Sequence, residues 1–244
     1  MTASRRSERL STLRKAVKDD GVLHLSEAAE RLGVSQMTVR RDLATAESDL
    51  ACYGGHVFAA NGDAGYRFGD HREYHAPEKA EACRRAAVLV EADDTLFIDC
   101  GTTLLHLARH LPEVPLTIIC YGLNVALDVS ALPTARLVLL GGEFHRSSAS
   151  FSSPEALVTL DRIGINKAFI SAGGVHPDLG ASCSNFHEVA IKQAAIARAV
   201  SSYLVVDSSK LGAVKPARFA DADRFERIVT EKGELRPDKV PKSV

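Results

Sequence analysis

Leu32-Gly33-Val34-Ser35-Gln36-Met37-Thr38-Val39-Arg40-Arg41-Asp42-Leu43 reads as the turn and second helix of a helix-turn-helix. Gly33 suits the left-handed residue that ends one helix. Val34 supplies an apolar residue just ahead of Ser35, whose hydroxyl satisfies a free N–H at the start of the next helix. On that helix Val39 and Leu43, four apart, point to one face, and Met37 or Thr38 and Arg41 point to the other. Ser35, Gln36, Met37, Thr38, Arg40 and Arg41 then crowd the exposed N-terminal part of one helix. Such a surface suits the major groove of double-stranded DNA: Arg meets guanine or phosphate, Gln pairs with adenine, and free N–H groups meet phosphate.

Working outward, the apolar spacing of Leu10, Leu13, Ala16 and Val17 predicts a helix over Arg5 to Lys18, stopped by Asp19-Asp20-Gly21. Val22 to Leu25 reads as a short extended piece, and Ser26 as the cap of a second helix through Leu32. The recognition helix is expected to reach about Glu47. Leu50 to Tyr53 and His56 to Ala59 flank Gly54-Gly55, a pair that commonly makes a hairpin turn. Three helices and a hairpin make a winged helix over residues 1–60. A three-helix interaction domain is the blander alternative.

Charge does not announce nucleic acid. The net formal charge is -1, and residues 1–60 carry nine Lys and Arg against eight Asp and Glu. DNA binding therefore rests on placement. Apolar content of 45% and charged content of 25% are ordinary for a globular chain. The five cysteines (Cys52, Cys83, Cys100, Cys120, Cys183) form no C-x-x-C, and three lie in or beside apolar runs, as buried free thiols do. No apolar stretch approaches the roughly eighteen residues of a membrane span, and Met1 to Arg9 is polar. A cytoplasmic location with no membrane contact is the expectation.

The run Ala28-Ala29-Glu30-Arg31-Leu32-Gly33-Val34-Ser35-Gln36-Met37-Thr38-Val39-Arg40-Arg41-Asp42-Leu43, followed by Gly54-Gly55, resembles the signature of the DeoR family of bacterial transcriptional regulators. The resemblance implies a winged helix joined to a domain that senses a sugar phosphate.

Asn61-Gly62-Asp63-Ala64-Gly65 is rich in turn residues and marks the domain boundary, giving a linker over residues 61–75. His71 and His75 are four apart, but no third ligand stands nearby at suitable spacing, so no metal is expected. The resemblance places Phe68, Arg72, Glu78 and Lys79 on a connecting helix.

Residues 76–232 alternate. Helical spacing over Glu78 to Glu91, Thr103 to Leu111, Asn124 to Ala131, Glu155 to Arg162 and Phe186 to Ala199 is interleaved with short apolar runs. Those runs are Thr95 to Ile98, Thr117 to Cys120, Arg136 to Leu140, Ala168 to Ile170, Tyr203 to Val206 and Ile228-Val229. The pattern predicts an α/β domain, its mainly parallel sheet covered on both faces, with ligands at the carboxyl ends of the strands. Residues 233–244 are left as a tail.

Four polar loops fall at those ends. Asp99-Cys100-Gly101-Thr102-Thr103 offers hydroxyls and free N–H groups to a phosphate, or is an ordinary helix cap. Gly141-Gly142-Glu143 permits close backbone approach to a ligand, or is a simple turn. Asn185, Glu188 and Lys192 bound the sugar end of a pocket, or Glu188 and Lys192 form a surface pair worth about 0.2–0.5 kcal/mol. Lys210, after Asp207-Ser208-Ser209, is a point charge for phosphate or a solvated loop lysine. No G-x-G-x-x-G or G-K-[ST] is present, which disfavours dinucleotides and nucleoside triphosphates, and no cofactor is expected.

These loops resemble the DeoR-family sensor domain, itself similar in fold to ribose-5-phosphate isomerase. Gly141 to His145, Ala172 to His176 and Gly180 to Asn185 resemble the branch that represses deoxyribonucleoside operons, which implies deoxyribose 5-phosphate as inducer. Where many members have Thr-Asn-Ser, this chain has Cys120-Tyr121-Gly122, so the usual contacts there do not carry over. Glu188 matches the isomerase's catalytic Glu, but the isomerase's acidic cluster is replaced by Ala172-Gly173-Gly174-Val175-His176, with Asp178 beyond. The expectation is a pocket that binds without turnover, with no catalytic residue. Two or more subunits would present recognition helices to successive half-sites of an operator. An isomerase-like enzyme and an inducer-dependent activator are the rival readings.

Overall fold

The computed structural model describes residues 2–20, 23–44, 50–53, 55–59 and 74–241. Residues 45–49 and 60–73 lie outside them, and with them the expected end of the recognition helix, most of the expected 61–75 linker, His71, and Phe68 and Arg72 of the expected connecting helix. Of the expected stop only Gly21 lies outside, while Asp19 and Asp20 continue the first helix.

In the N-terminal domain α1 (Thr2–Asp20), α2 (Leu25–Leu32) and α3 (Gln36–Leu43) pack with a small antiparallel sheet of β1 (Leu23–His24), β2 (Leu50–Tyr53) and β3 (His56–Ala59) in the order β1-β3-β2. Tyr53 faces His56 across the hairpin, and Gly55 has φ 81°. Leu10, Leu13, Val17, Leu23, Leu25, Ala28, Val39, Leu43, Leu50 and Val57 make one buried cluster. The spacing that predicted the first helix is therefore its core face. The cap of α2 differs from expectation. His24 is the N-cap, its Nδ1 accepting the Ser26 N–H at 3.3 Å, and Ser26 lies inside the helix. An imidazole nitrogen does here what a serine hydroxyl does elsewhere.

The larger domain is built on a seven-stranded sheet. Its strands are β4 (Thr95–Ile98), β5 (Leu116–Cys120), β6 (Ala135–Leu139), β9 (Ile165–Ile170), β12 (Ala199–Val205), β14 (Arg227–Thr230) and β15 (Gly233–Leu235). The order is β15-β14-β12-β9-β4-β5-β6, parallel except for the antiparallel edge strand β15. Alternate residues feed two cores, as the pleat requires. Phe97, Ile119, Ala168, Ile170, Leu204 and Ile228 join one cluster. Leu96, Ile98, Ile118, Phe169, Tyr203, Val205 and Val229 join the other. α4 (Ala76–Ala87) and α5 (Leu123–Ser130) cover the second face, α6 (Pro154–Leu160) and α7 (Val189–Arg198) the first.

The helix expected over Thr103 to Leu111 is instead two 3₁₀ turns, Leu104–His106 and Ala108–His110. A 3₁₀ turn also precedes α7, over Phe186–Glu188. The expected tail contributes the strand β15. A hairpin of β7 (Glu143–His145) and β8 (Ser150–Ser152) follows β6. A second small sheet joins β10 (Gly174–His176), β11 (Gly180–Cys183) and β13 (Ala217–Ala220). Among the described residues no helix is long and apolar enough to cross a membrane.

Candidate ligand site and DNA-facing helix

The recognition helix is held from both ends. Gly33 takes the left-handed conformation (φ 61°, ψ 34°). Its N–H reaches Glu30 O at 3.1 Å and that of Val34 reaches Ala29 O at 3.0 Å, the paired bonds of a Schellman stop. Ser35 Oγ accepts the Thr38 N–H at 3.2 Å and caps α3. Val39, Asp42 and Leu43 are buried, while Gln36, Met37, Arg40 and Arg41 are exposed and Thr38 is half-buried. Met37 keeps 73% of its surface open, a large apolar side chain left uncovered among the described residues. The buried acid was not foreseen. Arg9 Nε donates to Asp42 Oδ2 at 2.7 Å and Arg6 donates to Asp42 O at 3.1 Å, locking α1 to the inward side of α3. Two further arginines on the same helix remain free to face outward.

In the larger domain four neighbouring parallel strands are followed within two residues by a polar side chain at the same edge of the sheet. These side chains are Asp99 after β4, Tyr121 after β5, Ser171 after β9 and Asp207 after β12. Asp99 is fully buried. Its Oδ1 accepts the Tyr121 hydroxyl, and its Oδ2 accepts Ser171 N–H (2.9 Å), the Ser171 hydroxyl and the Lys192 ammonium. Lys192 also donates to Ser171 O at 3.1 Å, sits 3.5 Å from Glu188 Oε2, and lies 5.1 Å over the Phe219 ring. Gly101 is required by this packing, since a Cβ there would stand 1.9 Å from Ser171 Oγ.

Burial works to raise the Asp99 carboxyl, but the Lys192 charge and the hydrogen bonds from Lys192, Ser171 and Tyr121 outweigh it and hold it below the usual range. Burial lifts Glu188 above it; Lys192 opposes and the Asp99 charge adds. Burial alone would lower Lys192, yet Asp99 and Glu188 raise it. Asn185 Nδ2 donates to Glu188 Oε1 at 2.7 Å, which turns Asn185 Oδ1 away as a buried acceptor without a hydrogen-bond partner among the described residues. Such an orphan is expensive unless a ligand supplies the proton.

Beside this group lies a second one, of lysines. Lys79, on α4, is buried and donates to Thr102 Oγ1 at 3.1 Å. Burial first, then repulsion from Lys210, brings it down to about 8, against the pull of Asp207 and Glu78. Lys210 stands 3.9 Å from Asp207 Oδ2 and 6.0 Å from the Tyr74 ring. Asp207 Oδ1 is taken by Ser209 N–H and hydroxyl, while Oδ2 is buried with no hydrogen bond among the described residues. Thr103 is buried as well, its carbonyl accepting from Cys83 Sγ at 3.1 Å.

Of the residues expected from the sequence, Asp99, Gly101, Asn185, Glu188 and Lys192 form one connected group, and Thr102 and Lys210 are tied to Lys79 and Asp207. Gly141, Gly142 and Glu143 are exposed, and no hydrogen bond links them to either group among the described residues. Gly142 (φ 141°) is explained locally, because a Cβ would meet Ser152 O at 2.3 Å. Tyr121, Ser171 and Asp207 were not among the expected site residues, and neither was Lys79, whose ammonium meets Thr102. Tyr121 and Ser171 share a signal, a polar residue directly after an apolar strand, which becomes meaningful only when the strand order sets those ends side by side.

The profile of the DeoR-like helix-turn-helix domain matches residues 9–60, and that of the DeoR C terminal sensor domain matches residues 74–232. The deoxyribose operon repressor of Escherichia coli (strain K12) is 41% identical over 230 residues, 93% of this chain and 91% of that protein. The lactose phosphotransferase system repressor of Streptococcus mutans serotype c is 33% identical over 233 residues, 93% of this chain and 92% of that protein. Among solved structures, ribose 5-phosphate isomerase A from Methanocaldococcus jannaschii is 16% identical with a TM-score of 0.42, covering 56% of this chain and 54% of that one.

Proposed function

This chain belongs to the DeoR family of transcriptional regulators, and from that premise we propose a cytoplasmic repressor of a sugar or deoxyribonucleoside catabolic operon, released from its operator by a phosphorylated sugar. It is a regulator and not an enzyme. Residues 1–60 bind the operator, with Gln36, Met37, Thr38, Arg40 and Arg41 toward the groove and Ser35 capping the helix that carries them. Residues 76–232 bind the effector, and residues 61–75 join the two.

The observation that carries this reading is the pair of polar groups at the strand ends. Phosphate is held by Lys79 and Lys210 with Thr102 and Thr103, and the sugar lies toward Asn185 and Glu188. Asn185 Oδ1, an unpaired buried acceptor, takes a proton from a sugar hydroxyl. Asp99 and Lys192 were expected to touch the sugar. With their hydrogen-bonding positions filled by Tyr121, Ser171 and each other, they act beneath it and hold Glu188 in place. Deoxyribose 5-phosphate is the favoured effector, in line with the 41% identity to a deoxyribose operon repressor. Effector binding biases a homo-oligomer away from the spacing of its half-sites, and DNA weakens the effector by the same factor.

Lys210→Ala tests the division of labour. Operator affinity is expected to stay within about twofold of wild type, while the effector concentration for half-release rises at least tenfold, a change of about 1.4 kcal/mol. Equal loss of both would contradict the assignment.

A further inference from the structure

Lys215 lies in a stretch the sequence reading did not single out, between the 3₁₀ turn Ser208–Lys210 and β13. Its backbone N–H donates to Ser182 Oγ at 2.7 Å, which pins the loop to β11. Its aliphatic stem crosses Gly173 so closely that a Cβ there would meet Lys215 Cγ at 2.7 Å. A side chain at position 173 would push the stem away, so the glycine keeps the lysine on its course. Among the described residues the Lys215 ammonium makes no hydrogen bond and no ion pair. The one charged neighbour that acts on it is another cation, Lys210, and burial together with that repulsion lowers it to about 8.

Lys210 repels Lys79 in the same way. Lys210 thus stands between two other lysines and acts on both, at the strand ends where the Lys215 stem crosses Gly173 and Lys79 meets Thr102. The buried carboxylate among them is Asp207. Glu78 is half-exposed and faces His75 at 3.5 Å, and Glu231 accepts the Ser208 N–H at 2.9 Å. Such an arrangement is unfavourable while the site is empty. It becomes favourable when a compact anion carrying up to two charges, as a phosphate monoester does near neutral pH, enters between the lysines.

We infer that Lys215 is a third phosphate-binding lysine alongside Lys79 and Lys210, and that the site takes up protons as it takes up the phosphate. This rests on the effector reading above and deepens it. Above pH 7 the phosphate monoester is already a dianion, because its second pKa is near 6. The pH dependence of binding there belongs to the protein. The lysines that are partly neutral in the empty site become fully charged beside the dianion, and the proton comes from solvent. Affinity therefore falls as pH rises above about 8, approaching tenfold per pH unit for each proton taken up.

The test is titration calorimetry of the full chain with deoxyribose 5-phosphate at pH 8, in buffers of different ionisation enthalpy. The slope of heat against buffer enthalpy counts protons. About one proton taken up per phosphate is expected at pH 8 and much less at pH 7. Lys215→Met should weaken binding at least tenfold and remove about half of the uptake. Lys215→Arg keeps a charge that does not titrate; binding should stay within about threefold of wild type while the uptake still drops by about half. That combination would not follow from a merely structural lysine. Binding without proton uptake, or Lys215→Met with unchanged affinity, overturns the inference and leaves the effector reading standing. If inorganic phosphate binds with proton uptake and the deoxy sugar does not bind, the lysine clamp stands and the choice of sugar falls. If neither binds, both fall.

Discussion

Lys215 has a consequence in the absence of any ligand. A half-buried ammonium repelled by Lys210 costs stability for as long as it is charged. Below about pH 8 the folded chain carries that charge; above it the proton leaves the folded state more readily than the unfolded one, whose lysine titrates near 10.5. Lys215→Met should accordingly raise the thermal midpoint of the ligand-free protein at pH 7, and the advantage should shrink as pH rises through 8. A midpoint difference that stays constant from pH 6.5 to 9 would count against the charge cluster. Lys192 is the opposite case. Removing it leaves Asp99 buried beside Glu188 without a counter-charge, so Lys192→Met should destabilise the sensor domain by about 3–5 kcal/mol in urea unfolding. At this scale the sequence was partly legible. It named Asp99, Glu188, Lys192 and Lys210, but not the hydrogen bonds that fill the positions of Asp99 and Lys192. The saturation of their hydrogen bonds depends on Tyr121 and Ser171, which come from neighbouring strands distant in sequence. Lys215 carries no motif at all, and only its position over Gly173 and beside Lys210 marks it.

The recognition helix shows how an element is aimed. Its outward arginines are useful because its inward side is fixed by Val39, Leu43 and the Arg9–Asp42 pair at 2.7 Å. Asp42→Asn keeps the shape but loses the charge-assisted bond. It should destabilise the winged helix by about 1–3 kcal/mol and weaken operator binding although residue 42 does not face DNA. Ser35→Ala should cost about 1 kcal/mol through the lost cap. Arg40→Ala with Arg41→Ala, in contrast, should leave thermal stability unchanged and abolish specific binding, as read by circular dichroism and DNA titration together. Element by element, what could be read from the sequence follows packing. The apolar, β-branched runs of the large sheet and the helical spacing around Leu10 to Val17 stood out because they fill a core. The hairpin β7–β8 and the strands β10 and β11 did not, because Gly-, Ser- and His-rich segments of three or four residues carry no periodic apolar face. The two 3₁₀ turns after Thr103 have helical composition, and sequence alone does not separate the tighter winding from an α-helix.

For the whole molecule, the two halves present different chemistry: one an exposed polar helix, the other buried charges at strand ends. Their joint function is a linkage. If effector favours the form that does not bind DNA, operator DNA must weaken effector affinity by the same factor that effector weakens DNA affinity. The sequence conveyed this division through its two patterns, a 3.6-residue period in residues 1–60 and alternating strands and helices beyond residue 76. It did not convey which strand ends adjoin, and that adjacency is what joins Asp99, Tyr121 and Ser171 into one hydrogen-bonded group. The central claim is tested most directly by fluorescence anisotropy of the purified full chain on its own promoter DNA, titrated with deoxyribose 5-phosphate and with ribose 5-phosphate. The account predicts tight binding without ligand, release of DNA by the deoxy sugar phosphate, and a much weaker response to the ribo form. DNA binding that no sugar phosphate relieves would contradict it.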